Sequence, residues 1–564
     1  MISLLNRATT SIATAGWILS FSALASALLG LVRTRLLLDV YGVGIETDIY
    51  NAAFRIPDLV YNLAISGAIS AAFIPVFVSY LARSKKEAWH LAQSFLYIAL
   101  AVVGVLSVAL FILMPHLIPL LAPGFSDSAR AETVTLSRIM LASPILLGAS
   151  AVFSGILQSL RKFVVYALAP LFYNAGLIVG IVVFTRWWGI EGLAWGVVLG
   201  AVLHAAIQLP FAFSSGFRLG LPTLHPAVGR VGRLMVPRSL ALGVSQLNLV
   251  VVTALASTVS TGAITIFMNA HKIETLLAGI LGVSFATALF PALSEAIAKH
   301  DEKQYLDSFS KIFRGVLFLT LPASALFFVL RAQIVRVAYG TSQVTWEDTR
   351  LMAASLGLFA IGSFAYALVP VVARAFYARE DTITPVIASV VGFLVNIGLA
   401  FGLLFVVFEN TTIKSFLVSA LRVSDVPGTS ILALPLAFSI SGIVMLSVLL
   451  VTFFAEPKNR SIVPSIASSF VRVSIATALA SSAAWMSLYF FAAASPTDTL
   501  ARLALQGFIA TIAASAVYLA FAYLGRFPEL DVLRAFVFSK IVKAQLPQAA
   551  TTEPDPTSGG HSAA

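Results

Sequence analysis

The chain has 564 residues, of which 59% are hydrophobic and only 11% are charged, and it contains no cysteine. A soluble domain carries about 25% charged residues, so this composition excludes an ordinary soluble protein. The lack of cysteine excludes disulfides, thiolate metal sites and thiol catalysis. The formal net charge of +11 does not indicate a nucleic-acid partner, because membrane proteins gather Lys and Arg in cytoplasmic loops.

Apolar segments of roughly 20 residues recur along the whole chain, and each is long enough to cross a bilayer core. A β-barrel would alternate apolar and polar residues over much shorter segments. The sequence therefore predicts an all-α, polytopic membrane protein of about fourteen spans, at 12–38, 46–80, 89–114, 132–160, 164–185, 190–214, 228–258, 262–297, 308–331, 349–378, 383–407, 430–455, 464–492 and 500–525. The length of the first segment indicates a signal anchor, not a cleaved signal peptide.

The loops alternate in charge in a way that predicts an orientation. Loops on the side of the N-terminus contain ARSKKEA, LRKF, GRVGR, AKHDEKQ and EPKNR, whereas the opposite loops contain DVYGVGIET, STVSTG and SPTDT. Because basic residues concentrate on the cytoplasmic side, both termini are predicted to be cytoplasmic, in the inner (cytoplasmic) membrane. The composition of 541–564, rich in Pro, Ser, Thr and Gly, predicts a disordered cytoplasmic tail.

The second predicted span carries charges that a lipid-facing helix would not. One helix face, at spacings of three or four residues, is polar throughout: Asp48, Asn51, Arg55, Asp58, Asn62 and Ser66. Such a face must contact protein or a water-filled cavity. A buried polar seam that only locks two helices together is the alternative, although six polar positions exceed what a seam usually needs.

This span is also longer than a bilayer requires. Its 35 residues would rise about 52 Å as a straight helix. Pro57, Gly67 and Pro75 offer places to bend, so the sequence predicts a bent helix beside a cavity.

Several motifs recur at a nearly constant offset. AFIP at 72–75 matches ALFP at 288–291, and NAAFRI at 51–56 matches NAHKI at 269–273, so that Arg55 corresponds to Lys272. YNAGLIVG at 173–180 matches VNIGLAFG at 395–402 with an offset of 222 residues. These repeats predict two six-helix lobes related by a pseudo-twofold, at 1–215 and 216–455, and then two additional transmembrane helices at 456–530. Tandem halves of this kind are a transporter architecture, with the site at their interface.

Cations inside the predicted spans indicate an anionic substrate. Arg55 and Lys272 would face each other across the interface, and Arg33 lies on a small, polar face of the first span. Arg35 and Arg374 are equally compatible with snorkelling to the membrane surface. Each central charge costs roughly 2.5–3.5 kcal/mol, so several of one sign suggest a cavity that attracts phosphate. The predicted substrate-binding residues are Arg33, Arg55, Lys272, Asn51, Asp48, Ser66 and Arg374.

At these residues the sequence resembles the lipid II flippases called MurJ or MviN, which share a superfamily (MOP) with the MATE exporters. The matching segments are LLGLVRTRLL, YGVGIETDIYNAAFRIPDLV and GAISAAFIPV within 28–76, SGILQSLRKFVVYALAPLFYN at 154–174, ALFPALS at 288–294 and FYAREDTITPV at 376–386. The resemblance covers about 1–525. It implies a V-shaped cationic cavity between the lobes and a hydrophobic groove for the lipid tail formed by the two extra helices.

The resemblance also implies the substrate, a polyprenyl pyrophosphate that carries a peptidoglycan disaccharide-peptide and is moved from the inner to the outer leaflet by alternating access. Arg33, Arg55, Lys272 and Asp48 take the places of the family's charged cavity residues. Other positions depart from the family's charged pattern, which indicates a divergent member: Ala27, Thr34, Tyr61 and Ser66. Val252 and Thr253 stand where the family's sodium site has an Asp, so sodium coupling is not predicted.

Asp48 suggests a gate. It lies two helical turns, about 10 Å, from Arg55 toward the outer end of the polar face. We predict that its carboxylate pairs with a basic group such as Arg33 or Arg35 when the outer gate is shut.

Other functions remain open at this point. A flippase for another undecaprenyl-linked saccharide would use the same cavity, whereas a MATE-like drug exporter usually needs acidic groups for cationic substrates. A transport-inactive scaffold is a further alternative. An enzyme is not predicted, because the sequence shows neither clustered carboxylates for Mg²⁺ nor a nucleophile–base pair. No cofactor, metal or nucleic acid is expected; the expected partners are lipid II, membrane lipids and other cell-wall synthesis proteins.

Overall fold

The computed structural model describes residues 12–63, 73–221, 224–408, 411–494 and 499–531, whose regular secondary structure is entirely helical. Twelve described helical segments are long and apolar enough to cross a membrane: Phe21–Tyr41, Lys85–Leu121, Asp127–Ser159, Phe163–Trp188, Glu191–Ser214, Ala263–Ala298, Glu302–Val329, Trp346–Ala378, Ile383–Val407, Thr429–Ala455, Pro457–Phe491 and Leu500–Leu524. Two further spans are more polar than these twelve. The second span contains the helices Ile45–Tyr61 and Ile74–Arg83, and the seventh span is the helix Ala227–Ser257. The prediction of an all-α membrane protein of about fourteen spans is confirmed, and we number them spans 1 to 14.

Several predicted boundaries differ from the structure by a few residues, and two of the differences involve prolines. The sequence predicts that span 3 ends near 114, before Pro115, but its helix continues through Pro115 and Pro119 to Leu121. In span 2 the first helix is Ile45–Tyr61 and the next is Ile74–Arg83, with Pro75 in its first turn, where a missing N–H costs little. Ser66 and Gly67 lie outside the described residues, as does the predicted tail.

The internal repeat extends to local irregularities of the helices. Span 5 contains a π-helical segment at Gly180–Phe184, and span 11 contains one at Leu403–Val407. The offset of 222 residues between the two motifs carries one segment onto the other within one residue. Because π-helical segments are rare, two of them at equivalent positions support the division into two related halves.

Span 7 contacts both halves of the molecule. Near its beginning, Ala227 and Val231 belong to a core cluster with Phe77 and Phe153 of the first half. Further along, Asn248 accepts a hydrogen bond of 2.6 Å from Asn396 of span 11. The lobe boundary predicted at residue 216 stays a prediction, and span 7 is the element that joins the halves.

Side chains of span 3 contact the segment that precedes span 7. His225 Nε2 lies 3.1 Å from Glu87 Oε2, and His90 packs against the same imidazole ring. These three side chains are close enough to hold a metal ion. However, His225 Nδ1 accepts a hydrogen bond from the N–H of Ala227, so Nε2 carries the proton and donates a hydrogen bond to Glu87. The cluster is therefore a hydrogen-bonded clasp, and sequence spacing did not reveal it.

The motif FYAREDTITPV shapes the turn between spans 10 and 11. Asp381 accepts hydrogen bonds from the backbone of Ile383 and Thr384 and from the Thr384 hydroxyl, which caps span 11. Burial alone would raise the pKa of Asp381, but these hydrogen bonds hold the pKa below its ordinary value. Arg379 pairs with Glu302 and Glu456 and so ties the turn to the beginnings of spans 9 and 13.

Glycines let spans 5 and 6 approach at backbone distance. A Cβ atom on Gly180 would lie 2.4 Å from the Cα of Gly196, and one on Gly176 would lie 2.4 Å from the Cα of Gly200. Small residues at helix contacts of this kind are a general device for packing in membranes.

We expect Gly180→Ala to destabilise the protein by about 1–3 kcal/mol, because the added methyl group forces the two backbones apart. The measurement is the midpoint of thermal unfolding of the purified protein in detergent. Gly104→Ala is the matched control, since no atom lies within 4 Å of its added Cβ and Ala favours a helix over Gly. Equal midpoints for the two variants would contradict the close packing.

Candidate functional site

Three of the predicted basic residues, Arg33, Arg55 and Lys272, line a cavity between the halves. It has a volume of about 450 Å³ and is bounded by spans 1, 2, 4, 5, 6 and 8. Its lining residues are Arg33, Tyr50, Asn51, Phe54, Arg55, Pro57, Asp58, Tyr61, Ser143, Leu147, Pro170, Tyr173, His204 and Lys272. We call this the central cavity.

Arg33 is held by a polar neighbour on span 5. Its Nη1 donates to Asn174 Oδ1 at 3.1 Å, and the Asn174 amide in turn donates to Ser26. Asn174 lies in the repeated motif, and its counterpart Asn396 holds Asn248 of span 7. The two equivalent asparagines therefore each form a hydrogen bond with another span. Asn174 bonds to an arginine of span 1, whereas Asn396 bonds to a neutral amide of span 7.

Arg55 extends from span 2 toward span 8 of the other half. Its Nη2 lies 2.8 Å from the Met268 sulfur, which is a weak acceptor, and its buried Nε has no hydrogen-bond partner among the described residues. Asp58, one turn along the same helix, also lines the cavity, but its carboxylate accepts from Asn62. Arg55 thus keeps hydrogen-bonding capacity for a ligand.

Lys272 brings the cation of the second half into the same cavity. Its ammonium donates to Asn269 Oδ1 at 3.2 Å, and the Asn269 amide nitrogen has no partner in the described part of the chain. In the repeat, Asn51 and Arg55 correspond to Asn269 and Lys272, so each half contributes an amide and a cation.

The central cavity is electrostatically unbalanced. Three basic residues line it against one carboxylate, that of Asp58. Within the described residues, Arg33, Arg55 and Lys272 take part in no ion pair within 4.0 Å. Uncompensated charges at membrane depth are costly, and a multivalent anion would offset that cost.

Asp48 lies outside the central cavity. It is 1% exposed, and its carboxylate accepts from the backbone N–H of Gly262 at 2.7 Å, the N–H of Thr265 at 2.8 Å and the Thr265 hydroxyl at 2.7 Å. It therefore caps the beginning of span 8 from across the interface. The prediction that Asp48 pairs with Arg33 or Arg35 is wrong for this conformation. The free N–H groups at the beginning of a helix also attract a carboxylate, and here they are its partners.

The other predicted residues have separate locations. Asn51 lines the cavity and also reaches span 8 of the other half, where its amide donates to the Thr265 hydroxyl at 3.2 Å. Arg374 lies away from the cavity, with its guanidinium 5.1 Å from the centre of the Phe290 ring. Ser66 falls in the segment that is not described.

The two halves meet at one end of the bundle, which we call the sealed end. There Asp48 joins Gly262 and Thr265, and Arg35 donates to the carbonyls of Val337 at 2.8 Å and Gly340 at 2.7 Å. The opposite end, which we call the basic end, carries the loops around residues 84, 161, 300, 380 and 458.

Sequence reasoning missed the aromatic and neutral part of the cavity wall. Tyr50 comes from span 2 itself, whereas Tyr173 and His204 come from spans 5 and 6. A repeated motif pointed to the neighbourhood of Tyr173, but nothing in the local pattern distinguishes His204 from an ordinary buried histidine.

A separate, wholly apolar groove of about 270 Å³ runs between the second half and span 13. Its lining residues are Phe313, Leu317, Phe364, Leu368, Leu446, Leu450, Phe454, Val463, Ile466, Ala467 and Phe470. Its chemistry suits a hydrocarbon chain and not a polar head group.

Comparison with known proteins identifies the family of the chain. The family model described as lipid II flippase MurJ matches residues 39–506. The chain belongs to the lipid II flippase MurJ family. It is 30% identical over 391 residues to a probable lipid II flippase MurJ of Rhizobium meliloti, covering 67% of this chain and 73% of the relative. It is also 30% identical over 378 residues to the lipid II flippase MurJ of Burkholderia cenocepacia, covering 64% and 72%.

Solved structures agree on the fold. A lipid II flippase MurJ in an inward closed conformation gives a TM-score of 0.70 at 21% identity and covers 93% of this chain and 99% of its own. An inward-facing MATE family transporter of the MOP superfamily gives a TM-score of 0.62 at 15% identity, covering 78% and 96%. These likenesses show that the chain has a MurJ- and MATE-like fold.

The structure also locates the departures from the MurJ pattern. Tyr61 does line the central cavity, and Ala27 is exposed on span 1. Thr34 donates its hydroxyl to the carbonyl of Gly30 in its own helix. Val252 is aliphatic and the hydroxyl of Thr253 donates to the carbonyl of Leu249 in its own helix, so these two residues do not fit a sodium site.

Proposed function

We propose that this MurJ-family chain moves lipid II, a polyprenyl pyrophosphate that carries the peptidoglycan disaccharide-peptide, from the inner to the outer leaflet by alternating access. The observation that carries the proposal is the central cavity, where three basic side chains from both halves face one carboxylate. A diphosphate diester carries two negative charges, which matches the excess positive charge of the cavity.

The cations would hold the pyrophosphate, and the cavity wall would contact the sugar. Arg33 and Arg55 offer planar guanidinium groups that bind phosphate oxygens in pairs, whereas Lys272 acts as a point charge. Tyr50, Tyr61 and the other aromatic residues of the wall provide flat surfaces for a sugar ring. This is transport chemistry, in which no bond of the substrate is broken.

The apolar groove beside span 13 supports a place for the polyprenyl tail. It is lined by side chains of spans 9, 10, 12 and 13 and offers only hydrocarbon contacts, such as those of Phe313 and Phe470. The charged head group would then cross through the protein while the tail stays in the apolar phase, which avoids the large cost of moving pyrophosphate through lipid.

Alternating access requires the sealed end to open. We infer that the basic end is cytoplasmic, that both termini lie there, and that the sealed end faces outward. Rocking of the two halves would then break the contacts of Asp48 with span 8 and form others at the basic end.

This orientation predicts a labelling pattern. Single cysteines at Lys86 and Ser461, both exposed at the basic end, should react with an impermeant maleimide only from the cytoplasmic side. Cysteines at Ser128 and Thr261, exposed at the sealed end, should react only from outside. The native chain has no cysteine, so the background is clean. A reversed pattern at any one position would contradict the orientation.

The test of the proposed function is complementation. The chain is expressed in a bacterium whose own lipid II flippase can be depleted, and growth is followed after depletion. Rescue is the expected result. Failure to rescue at normal membrane levels would contradict the proposal and would favour another undecaprenyl-linked saccharide or a transport-inactive scaffold.

A further inference from the structure

The sealed end of the second half breaks the charge asymmetry of the loops. Four arginines lie there, in the short helix Arg331–Tyr339 and in the segments around it: Arg331, Arg336, Arg350 and Arg422. A surface that faces outward is normally poor in Lys and Arg, so this concentration requires a different explanation.

Three of these arginines line a single cavity of about 690 Å³ between the second half and spans 13 and 14, which we call the exit cavity. Arg331, Arg350 and Arg422 are its charged groups, and its described lining includes no carboxylate. Arg350 is neutralised by Asp425, which accepts two hydrogen bonds of 2.7 Å from its guanidinium. Two guanidinium groups therefore remain without a carboxylate partner in the described part of the chain.

Arg331 is held in place. Its Nη1 donates to the Phe328 carbonyl at 2.8 Å, and its guanidinium lies 5.0 Å from the centre of the Phe328 ring. Its stem crosses Gly357 of span 10, where a Cβ atom would come within 2.9 Å of the Arg331 Cδ. Burial lowers the pKa of Arg331, and the nearby charge of Arg422 lowers that pKa further. Arg331 and Arg422 thus line the same cavity, and neither forms an ion pair with a carboxylate of the described residues.

The rim of the exit cavity has the side chains of a membrane interface. Trp346, Trp485 and Tyr489 line it and are each more than half exposed, and the rings of Trp485 and Tyr489 stack at 5.9 Å. Aromatic residues of this kind are typical of the head-group level of a bilayer. The cavity is therefore placed to meet a lipid head group.

A second cavity connects this region to the seam between the halves. It has a volume of about 770 Å³, and Arg35, Asp39, Arg336 and Trp346 are among its lining residues. Trp346 lines both cavities. Arg35 also contacts Gly340 across the seam, so a row of guanidinium groups leads from the interface to the outer face near span 14.

We propose that the exit cavity binds the pyrophosphate of the translocated lipid after the sealed end opens and before the lipid leaves the protein. The guanidinium groups of Arg331 and Arg422 match a dianionic diphosphate diester better than a singly charged phospholipid phosphate. This inference rests on the proposed function, because it names where the product of that transport is held.

The test is protection of a cysteine at Ala420, an exposed residue of the exit cavity. The full-length variant is purified in detergent, and its reaction with a maleimide is timed with and without farnesyl pyrophosphate. At about ten times its Kd, the probe should slow labelling about tenfold. Phosphatidylglycerol at the same concentration should slow it much less.

Arg331→Gln/Arg422→Gln should abolish the protection, since each lost charge-assisted contact weakens binding about tenfold. Arg422→Gln alone, at an exposed position, should weaken it even if the double variant does not fold. Arg186→Gln is the matched control, an exposed arginine beside Trp187 at the same end, and should change nothing.

Arg55→Gln/Lys272→Gln should keep the protection of the cysteine at Ala420, because this double variant alters only the central cavity. The result therefore distinguishes a failure of the exit-cavity inference from a failure of the proposed function. Protection that survives Arg331→Gln/Arg422→Gln, or protection by phosphatidylglycerol equal to that by farnesyl pyrophosphate, would overturn the inference.

Discussion

Arg55→Gln is expected to abolish rescue of a flippase-depleted bacterium and to weaken binding of lipid II by about 10- to 150-fold. Arg55 lies at the interface of the halves, contacts Met268 across it, and keeps its Nε without a partner in the described residues. Loss of a charge-assisted hydrogen bond to phosphate in a buried site costs about 1.5–3 kcal/mol, which corresponds to that range. The measurement is the Kd for lipid II of the purified variant, together with growth after depletion.

Arg374→Gln is the control for this experiment. It removes an arginine of the same predicted set that the structure places away from the central cavity, over the Phe290 ring. It should bind and rescue as the native chain does. Membrane levels of Arg55→Gln should be normal, since removal of an intramembrane charge lowers the cost of insertion. Native binding and rescue by Arg55→Gln would show that the central cavity does not hold the head group.

Asp48→Asn is expected to shift the protein toward the conformation with the sealed end open. The amide side chain of this variant can accept from only one of the two backbone N–H groups that the native carboxylate satisfies, at Gly262 and Thr265. A buried, unsatisfied donor costs about 1–3 kcal/mol, enough to change the ratio of two conformations by roughly 5- to 150-fold. The variant should still bind lipid II but transport it poorly.

A cysteine at Met268 reports this shift. Met268 is 3% exposed and lies at the interface next to Arg55, so it should react with an outside maleimide only when the sealed end is open. Labelling should be faster in Asp48→Asn than in the native background. Glu46→Gln removes one acidic charge from the same first turn, where Glu46 makes no bond to the described residues of span 8, and should leave labelling unchanged. Identical labelling of both variants would remove Asp48 from the gate.

Much of the fold could be predicted because its signals are local or periodic. Apolar segment length gave the fourteen spans, and the offset between YNAGLIVG and VNIGLAFG gave the repeat that the π-helical segments at Gly180–Phe184 and Leu403–Val407 now support. The polar face of span 2 indicated a cavity because costly charges at regular spacing have few structural explanations.

The rest of the site could not be predicted, because it depends on which spans touch. The anchor of Arg33 is Asn174, 141 residues away, and Asp48 accepts from the N–H of Gly262, 214 residues away, just before span 8. A carboxylate can be satisfied by a cation or by helix N–H groups, and only the packing decides between them. The arginines of the exit cavity do not follow from the charge of the loops, because the segments around Arg331 and Arg422 break the asymmetry that the other loops show.

The most direct test of the account is lipid II translocation in proteoliposomes that contain only this chain. Fluorescent lipid II is placed in both leaflets, and its loss to an impermeant quencher is followed over time. The account predicts that the native chain exposes nearly all of the lipid, whereas Arg55→Gln/Lys272→Gln leaves the lumenal half protected, as empty liposomes do. Equal protection with the native chain and with empty liposomes, or full exposure by the double variant, would contradict a flippase that works through the central cavity.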